Sequence, residues 1–182
     1  MIATVDDQVV RGDATQIVHD LYLTHYRDLV RLARVLVDDP ASAEEVVQEA
    51  FAATWQHWDR IRDQRDPLAY VRRCVLNMSR SRLRRRRTRR LWVAQETTQP
   101  AGEQHLVGDS VESAALASGT SAAVRDALRL LSTRQRECVV LRHLSDCSLA
   151  ETAALLGISE GAVKAHTHRG LHALAELLEE VR

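Results

Sequence analysis

Residues 148–170 read SLAETAALLGISEGAVKAHTHRG, and this stretch decides the fold. Ser148 and Glu151 have the Ser-x-x-Glu spacing of a capping box, in which hydroxyl and carboxylate satisfy free amides at a helix start. Leu149, Ala153 and Leu156 then recur at steps of three and four, a short amphipathic helix. Gly157 supplies a positive-φ turn, Ile158 plugs the core, and Ser159 caps a second helix. Helix, glycine turn and helix make a helix-turn-helix. Its angle lets the second helix enter a major groove with its first residues at base edges. Periodicity puts Val163, Thr167, Gly170 and Leu174 inside. Ser159 opens the outer surface, Glu160, Lys164, Ala165 and His168 face outward, and His166 and Arg169 flank them where phosphates would lie. Helical hairpins with glycine turns also occur in bundles that bind nothing, so the rest of the chain must decide between the two.

Upstream, Val124 to Leu131 reads as a helix, and Ser132 with Gln135 makes another capping box, leading a helix through Val139, Val140 and Leu144. Before these lie residues 94–119, polar, acidic and punctuated by Pro100, Gly102, Gly108 and Gly119. That composition predicts a flexible linker. Its relaxed span is about 28 Å, and it stretches to about 85 Å. The two halves it joins could therefore engage distant sites on one partner.

The 182-residue chain is formally neutral, yet residues 60–90 hold thirteen arginines against two aspartates, a net of +11. Residues 1–59 compensate with eleven acids against four bases. Such a block needs a polyanion, a membrane surface or simply water, and arginine's planar fork suits phosphate. Asp66-Pro67 opens the helix that carries it, cap followed by proline at the first position. Leu68, Val71, Val75 and Met78 give that helix a buried face. Ahead of it, Val18, Tyr22, Tyr26, Leu29, Ala33 and Leu36 mark an amphipathic helix ending at Asp38-Asp39-Pro40. Ser42 and Glu45 suggest a capped helix to about Trp58, with Val47, Phe51, Thr54 and Trp58 on one stripe. Glu45, Gln48, Glu49 and Ala52 lie toward another stripe. Nothing alternates as a strand would. The expected class is all-α, two small helical domains joined by a flexible linker: a disordered arm over 1–13, a first domain over 14–93, the linker over 94–119 and a second domain over 120–182.

These segments resemble a known family. Residues 128–144 (LRLLSTRQRECVVLRHL) and 148–174 look like region 4 of the bacterial sigma-70 factors, which reads the −35 promoter element. The helix-turn-helix alone is also similar to LuxR-type regulators. Residues 20–55, with Ala43-Glu44-Glu45-x-x-Gln48-Glu49-x-Phe51, resemble sigma regions 2.1 and 2.2. Residues 66–90 resemble regions 2.3 and 2.4. Regions 2 and 4 with only a linker between them resemble the extracytoplasmic-function (ECF) subfamily, and the wording is most similar to its actinobacterial SigE-type branch. The resemblance implies two partners, core RNA polymerase (β′ clamp coiled coil and β flap) and promoter DNA. It implies that Glu45, Gln48, Glu49 and Ala52 meet the clamp. It places Arg62, Asp63, Gln64 and Arg65 at a flipped −10 base, and Arg72, Arg73, Asn77, Arg80, Ser81 and Arg84 along −10 DNA. A bare arginine run such as Arg85 to Arg90 reads instead as a non-specific tether. Ser159, Glu160, Lys164, Ala165, His166, His168 and Arg169 would read −35. Free members are often held by an anti-sigma factor, but no residue here requires one. Two departures matter: Ala165 stands where serine is common, and Gly170 where alanine is, which puts a phosphate contact and some helix rigidity in doubt.

Two other classes fit the sequence less well. A LuxR-type activator with a helical N-terminal half would share the helix-turn-helix, but an α/β receiver has no counterpart before residue 120. A nucleic-acid-processing enzyme would have to use its histidines. His166 and His168 point about 200° apart on a helix, and the pair His168/His172 supplies too few ligands for a structural metal. There is no glycine-rich phosphate loop, paired-carboxylate site or nucleophile triad. Neither enzyme activity nor a small-molecule substrate, cofactor or metal is expected. Cys74, Cys138 and Cys147 are unpaired in spacing, as in a reducing compartment. No apolar run is long enough for a bilayer. The expectation is a cytoplasmic protein without a membrane partner.

Overall fold

The computed structural model describes residues 5–37, 39–61, 66–96 and 119–179. Among these residues every regular element is a helix, so the class is all-α. The first half comprises α1 (Val5–Leu36), α2 (Pro40–Gln56), α3 (Trp58–Ile61) and α4 (Pro67–Glu96). The second comprises α5 (Gly119–Leu130), α6 (Thr133–His143), α7 (Leu149–Leu156) and α8 (Glu160–Glu179). Helix α1 starts at Val5, within residues 1–13, for which the sequence predicts a disordered arm. Of the expected linker, Ala94–Glu96 continue α4 and Gly119 opens α5, while residues 97–118 lie outside the described residues.

In the first half α1, α2 and α4 pack on one another. Leu29, Leu32, Ala33 and Leu36 meet Ala43, Val46, Val47, Ala50 and Phe51 of α2 and Val71, Val75 and Leu76 of α4. The core alanines carry little bulk, which lets helix backbones approach, and Tyr22 lies tilted against Tyr26 (4.7 Å) and meets Phe51 edge-on (5.2 Å). Helix α2 begins earlier than Ser42 and Glu45 suggested. Extended Asp39 is its cap, accepting from the Ser42 amide at 2.8 Å, and Pro40 follows at the first helical position. Glu45 is thereby released for another role. The helix also stops at Gln56, and Trp58 is buried on the separate single turn α3. Asp66 caps α4 as anticipated, accepting from the Ala69 amide at 3.0 Å.

In the second half α5, α6 and α7 all rest on α8. The Ser148/Glu151 box is closed in both directions: the Ser148 amide donates to Glu151 at 2.6 Å and the Glu151 amide donates to Ser148 Oγ at 3.1 Å. Gly157 ends α7 at φ 64°, a conformation costly for any other residue, and Ser159 Oγ accepts from Ala162 at 3.2 Å. Val163 and Gly170 are buried, as the periodicity predicts. The two halves also touch, α1 against α5 and α6, and α4 against α7.

Candidate nucleic-acid interface and partner surfaces

Helix α8 presents its first turns to solvent. Ser159, Glu160, Lys164, Ala165, His168 and Arg169 are exposed, and His166 is half-buried. Six of the seven residues predicted to meet −35 are thus exposed, whereas His166 points about 200° away from His168 and is partly covered. Glu160 sits in the first turn, where the helix dipole favours an acid. Arg169 donates back to the Ala165 carbonyl at 3.2 Å, which holds its guanidinium along the helix.

The α4 set shares a face too, but much of that face is turned toward the second half of the chain. Arg80 grips Glu137 of α6 with both ends of its fork, Nε to Oε1 at 2.5 Å and Nη2 to Oε2 at 2.7 Å. The Glu137 side chain is only 1% exposed. This hydrogen bond, assisted by the opposite charge, pushes the Arg80 pKa further up. Arg80 also reaches Asn77 Oδ1 at 3.4 Å. Arg73 donates to the Ala154 carbonyl at 3.2 Å, and Arg72 to the Ser145 carbonyl at 3.5 Å. Ser81 is half-buried and Arg84 is exposed. Arg62, Asp63, Gln64 and Arg65, expected at a flipped base, lie outside the described residues.

On α2 the predicted polymerase-facing residues Glu45, Gln48, Glu49 and Ala52 are all exposed. Two of them hold an arginine of α4: Arg82 donates to Glu45 at 2.5 Å and to Glu49 at 2.6 Å. The Glu45 bond, then the Glu49 bond, raises the Arg82 pKa against the opposing effect of its burial. Arg86 pairs with Asp39 at 3.5 Å. Arg82 and Arg86 therefore brace α4 on the acidic side of α2, a role that charge counting could not separate from DNA contact.

Glu137 was missed by sequence reasoning. The signal was available, since it is an acid at the head of the buried run Cys138–Leu141. An acid in a core stripe demands a partner. Its neighbour Cys138 is buried, and this burial, with the Glu137 charge beside it, pushes the thiol up to about 11. Burial also raises Cys74 and Cys147. All three are free thiols with little thiolate character at neutral pH. Among the described residues no group of three or more histidines, cysteines or acids is placed to hold a metal ion. No helix among them is long and apolar enough to cross a membrane.

An exposed recognition helix in one half and an arginine-bearing helix braced on an acidic one in the other define a bipartite, all-helical DNA-binding protein. Comparison with known proteins narrows this class. Residues 21–89 match the family model for sigma-70 region 2, and residues 121–174 that for sigma-70 region 4. The chain is 38% identical over 151 residues to the RNA polymerase sigma-E factor of Streptomyces avermitilis, covering 83% of this chain and 79% of that one. It is 32% identical over 163 residues to the ECF RNA polymerase sigma factor SigL of Mycobacterium tuberculosis, covering 88% of each. Among solved structures, CnrH in complex with the cytosolic domain of CnrY superposes with a TM-score of 0.69 at 26% identity, covering 96% of this chain and 97% of that one. The Bartonella quintana sigma factor RpoE, solved with the anti-sigma factor NepR, gives 0.70 at 24% identity over 90% of this chain and 98% of that one, a likeness of fold. The chain belongs to the sigma-70 family of RNA polymerase sigma factors, in its ECF subfamily. Its function is promoter-specific initiation of transcription, and the activator alternative loses its footing because region 2 is present.

Proposed function

We propose that this sigma factor divides its work between the halves as follows. Residues 14–93 bind core RNA polymerase and −10 DNA, and residues 120–182 bind −35 DNA, with residues 94–119 joining them. The exposed face of Glu45, Gln48, Glu49 and Ala52 meets the basic clamp coiled coil of β′, and the second half meets the β flap. The α8 surface from Ser159 to Arg169 enters the major groove at −35, where its cations meet phosphates and its first turn meets base edges. Arg72, Arg73, Asn77, Arg80, Ser81 and Arg84 follow −10 DNA, and residues 62–65 receive an unstacked base. Strand opening then draws on binding energy rather than on chemistry, so the protein is not an enzyme and needs no metal or cofactor. It works in the cytoplasm, where polymerase and promoter are, and an anti-sigma factor is a partner that family membership allows.

The observation carrying this reading is the exposed α8 face, joined in one chain to an acidic α2 face beside the arginines of α4. Core polymerase supplied with the purified chain should yield discrete run-off transcripts from fragments of its own genome. Absence of any promoter-specific transcript would refute the assignment. Charge reversal of Glu45 and Glu49 to Arg should abolish co-purification with core polymerase while leaving duplex DNA binding by the second half intact.

A further inference from the structure

Between Ser159 and Arg169 the surface assigned to −35 DNA carries a single acid, Glu160. Lys164 and Arg169 suit phosphate, whereas a carboxylate is repelled by it. Glu160 and Lys164 stand four apart with the acid first, the order and spacing that favour an ion pair on a helix. Yet among the described residues neither side chain has a hydrogen-bond or ion-pair partner. Other acids are held, Glu45 and Glu49 by Arg82, Glu137 by Arg80, Glu151 by its capping box and Glu176 by His172. The exposed Glu160 is followed by exposed Gly161, where a Cβ would meet nothing closer than Ser159 Oγ at 3.9 Å. Packing does not ask for this glycine, and helix propensity opposes it. A bare backbone beside Glu160 does let the first turn of α8 come close to a partner.

We propose that Glu160 is a specificity-determining residue, accepting a hydrogen bond from the N4 amino group of a cytosine in the −35 major groove, with Gly161 giving the clearance. This rests on the assignment of α8 to −35 DNA. An ionised carboxylate only accepts hydrogen bonds. In the major groove guanine N7 and O6 and thymine O4 also accept, so they would face Glu160 with no proton between, while cytosine N4 and adenine N6 donate. Adenine N6 is flanked by acceptors on both sides, its own N7 and the O4 of the paired thymine. Cytosine N4 has one on a single side, the O6 of its guanine, so cytosine suits the carboxylate better. The acid weakens attraction to DNA as a polyanion and sharpens the difference between sequences. A wrong base leaves a desolvated carboxylate unpaired, which is a repulsive element against that sequence. Glutamine in its place would change the choice, because a carboxamide both donates and accepts and so matches the N6 and N7 pair of adenine.

The test uses core polymerase loaded with the full chain or with its Glu160→Gln, Glu160→Ala or Gly161→Ala variant. The template is a promoter fragment found by run-off transcription of its own genome, with the −35 element then randomised, and the transcribed templates are sequenced. Wild type should enrich a C·G pair about tenfold at one position. Glu160→Gln should move that position to A·T in the same orientation, and Glu160→Ala should erase the preference there while the other positions keep theirs. Gly161→Ala should raise the urea midpoint and yet lose initiation on the selected promoter. A wild-type preference with no C·G pair in it, or one that neither Glu160 variant alters, overturns the proposal. Lower stability of those variants with unchanged preference is what a mere partner of the helix dipole would give, and it counts against Glu160 as a reader. A uniform gain on all sequences is equally fatal, since the acid would then face phosphates alone. Full initiation by Gly161→Ala removes the clearance role. The layers beneath fail differently: transcripts with no −35 preference at any position reject the α8 assignment and the cytosine contact with it, whereas no transcripts from any template reject the sigma assignment itself.

Discussion

Gly170 shows how a residue that weakens a helix is required by its surroundings. Inside a helix glycine costs about 1 kcal/mol relative to alanine. A Cβ at this position would stand 2.7 Å from Val139 Cγ2 and 3.3 Å from both Cβ and the carbonyl oxygen of Gln135. The α6–α8 crossing is therefore too close for alanine, and the doubt about helix rigidity is answered by packing. Gly170→Ala should destabilise the protein by about 1 kcal/mol net, overpacking outweighing the propensity gain, read as a lower urea midpoint at unchanged slope. In a Val139→Ala background the penalty should shrink. At Ser148 and Glu151 the reciprocal box makes a different prediction. The Ser148 hydroxyl, then its amide, hold the Glu151 carboxyl below the ordinary glutamate range. A depressed folded pKa contributes stability above the unfolded value and loses it as pH falls through the folded one. The stability difference between the wild type and Glu151→Gln should thus be full near neutrality and vanish on acidification below about pH 4, measured by denaturation across that range.

At the scale of the element, α4 is a single helix with three sets of arginines. Arg82 and Arg86 hold it to α2, Arg72, Arg73 and Arg80 meet the second half, and Arg84 stands exposed. Replacing Arg72, Arg80 and Arg84 by alanine should weaken promoter opening by the polymerase complex and flatten its salt dependence by about 2 to 3. Unchanged opening across a salt series would show that another surface carries −10 DNA. Arg84→Ala alone is the cleanest variant, since nothing described for that side chain takes part in the contacts between the halves. Arg82→Ala should act differently, lowering stability and leaving the salt slope unchanged, because its partners are carboxylates of α2.

For the whole molecule, the contacts of α1 with α5 and α6, and of α4 with α7, couple the two halves. Tryptophan occurs only at positions 55, 58 and 92, so its fluorescence reports the first half, while far-ultraviolet circular dichroism reports both. Coincident thermal transitions by the two probes are the expected outcome, as for a cooperative unit. Two separated transitions would mean that the halves melt independently and that the interface between them is weak. A linker able to span tens of ångströms is compatible with either arrangement, which is why its composition alone could not reveal the contact between the halves.

Much of this protein was legible in local sequence. Capping residues at 66, 148 and 159, the glycine turn at 157 and the three-four spacing of apolar side chains depend on neighbours within one or two turns, so they specify helices and the helix-turn-helix without help. The first half was nearly as clear, although Asp39 displaced Ser42 as cap because an extended aspartate before proline fits a helix start better. Which partner each arginine takes was not legible. Arg80 and Glu137 are 57 positions apart, and Arg82 reaches back 37 and 33 positions to Glu45 and Glu49. A guanidinium binds carboxylate, carbonyl or phosphate alike, so its role is set by what the folded chain brings within 3 Å of it. Sequence by itself determined a helical, two-part sigma factor; only tertiary structure decided which of its charges face a partner and which hold the molecule to itself.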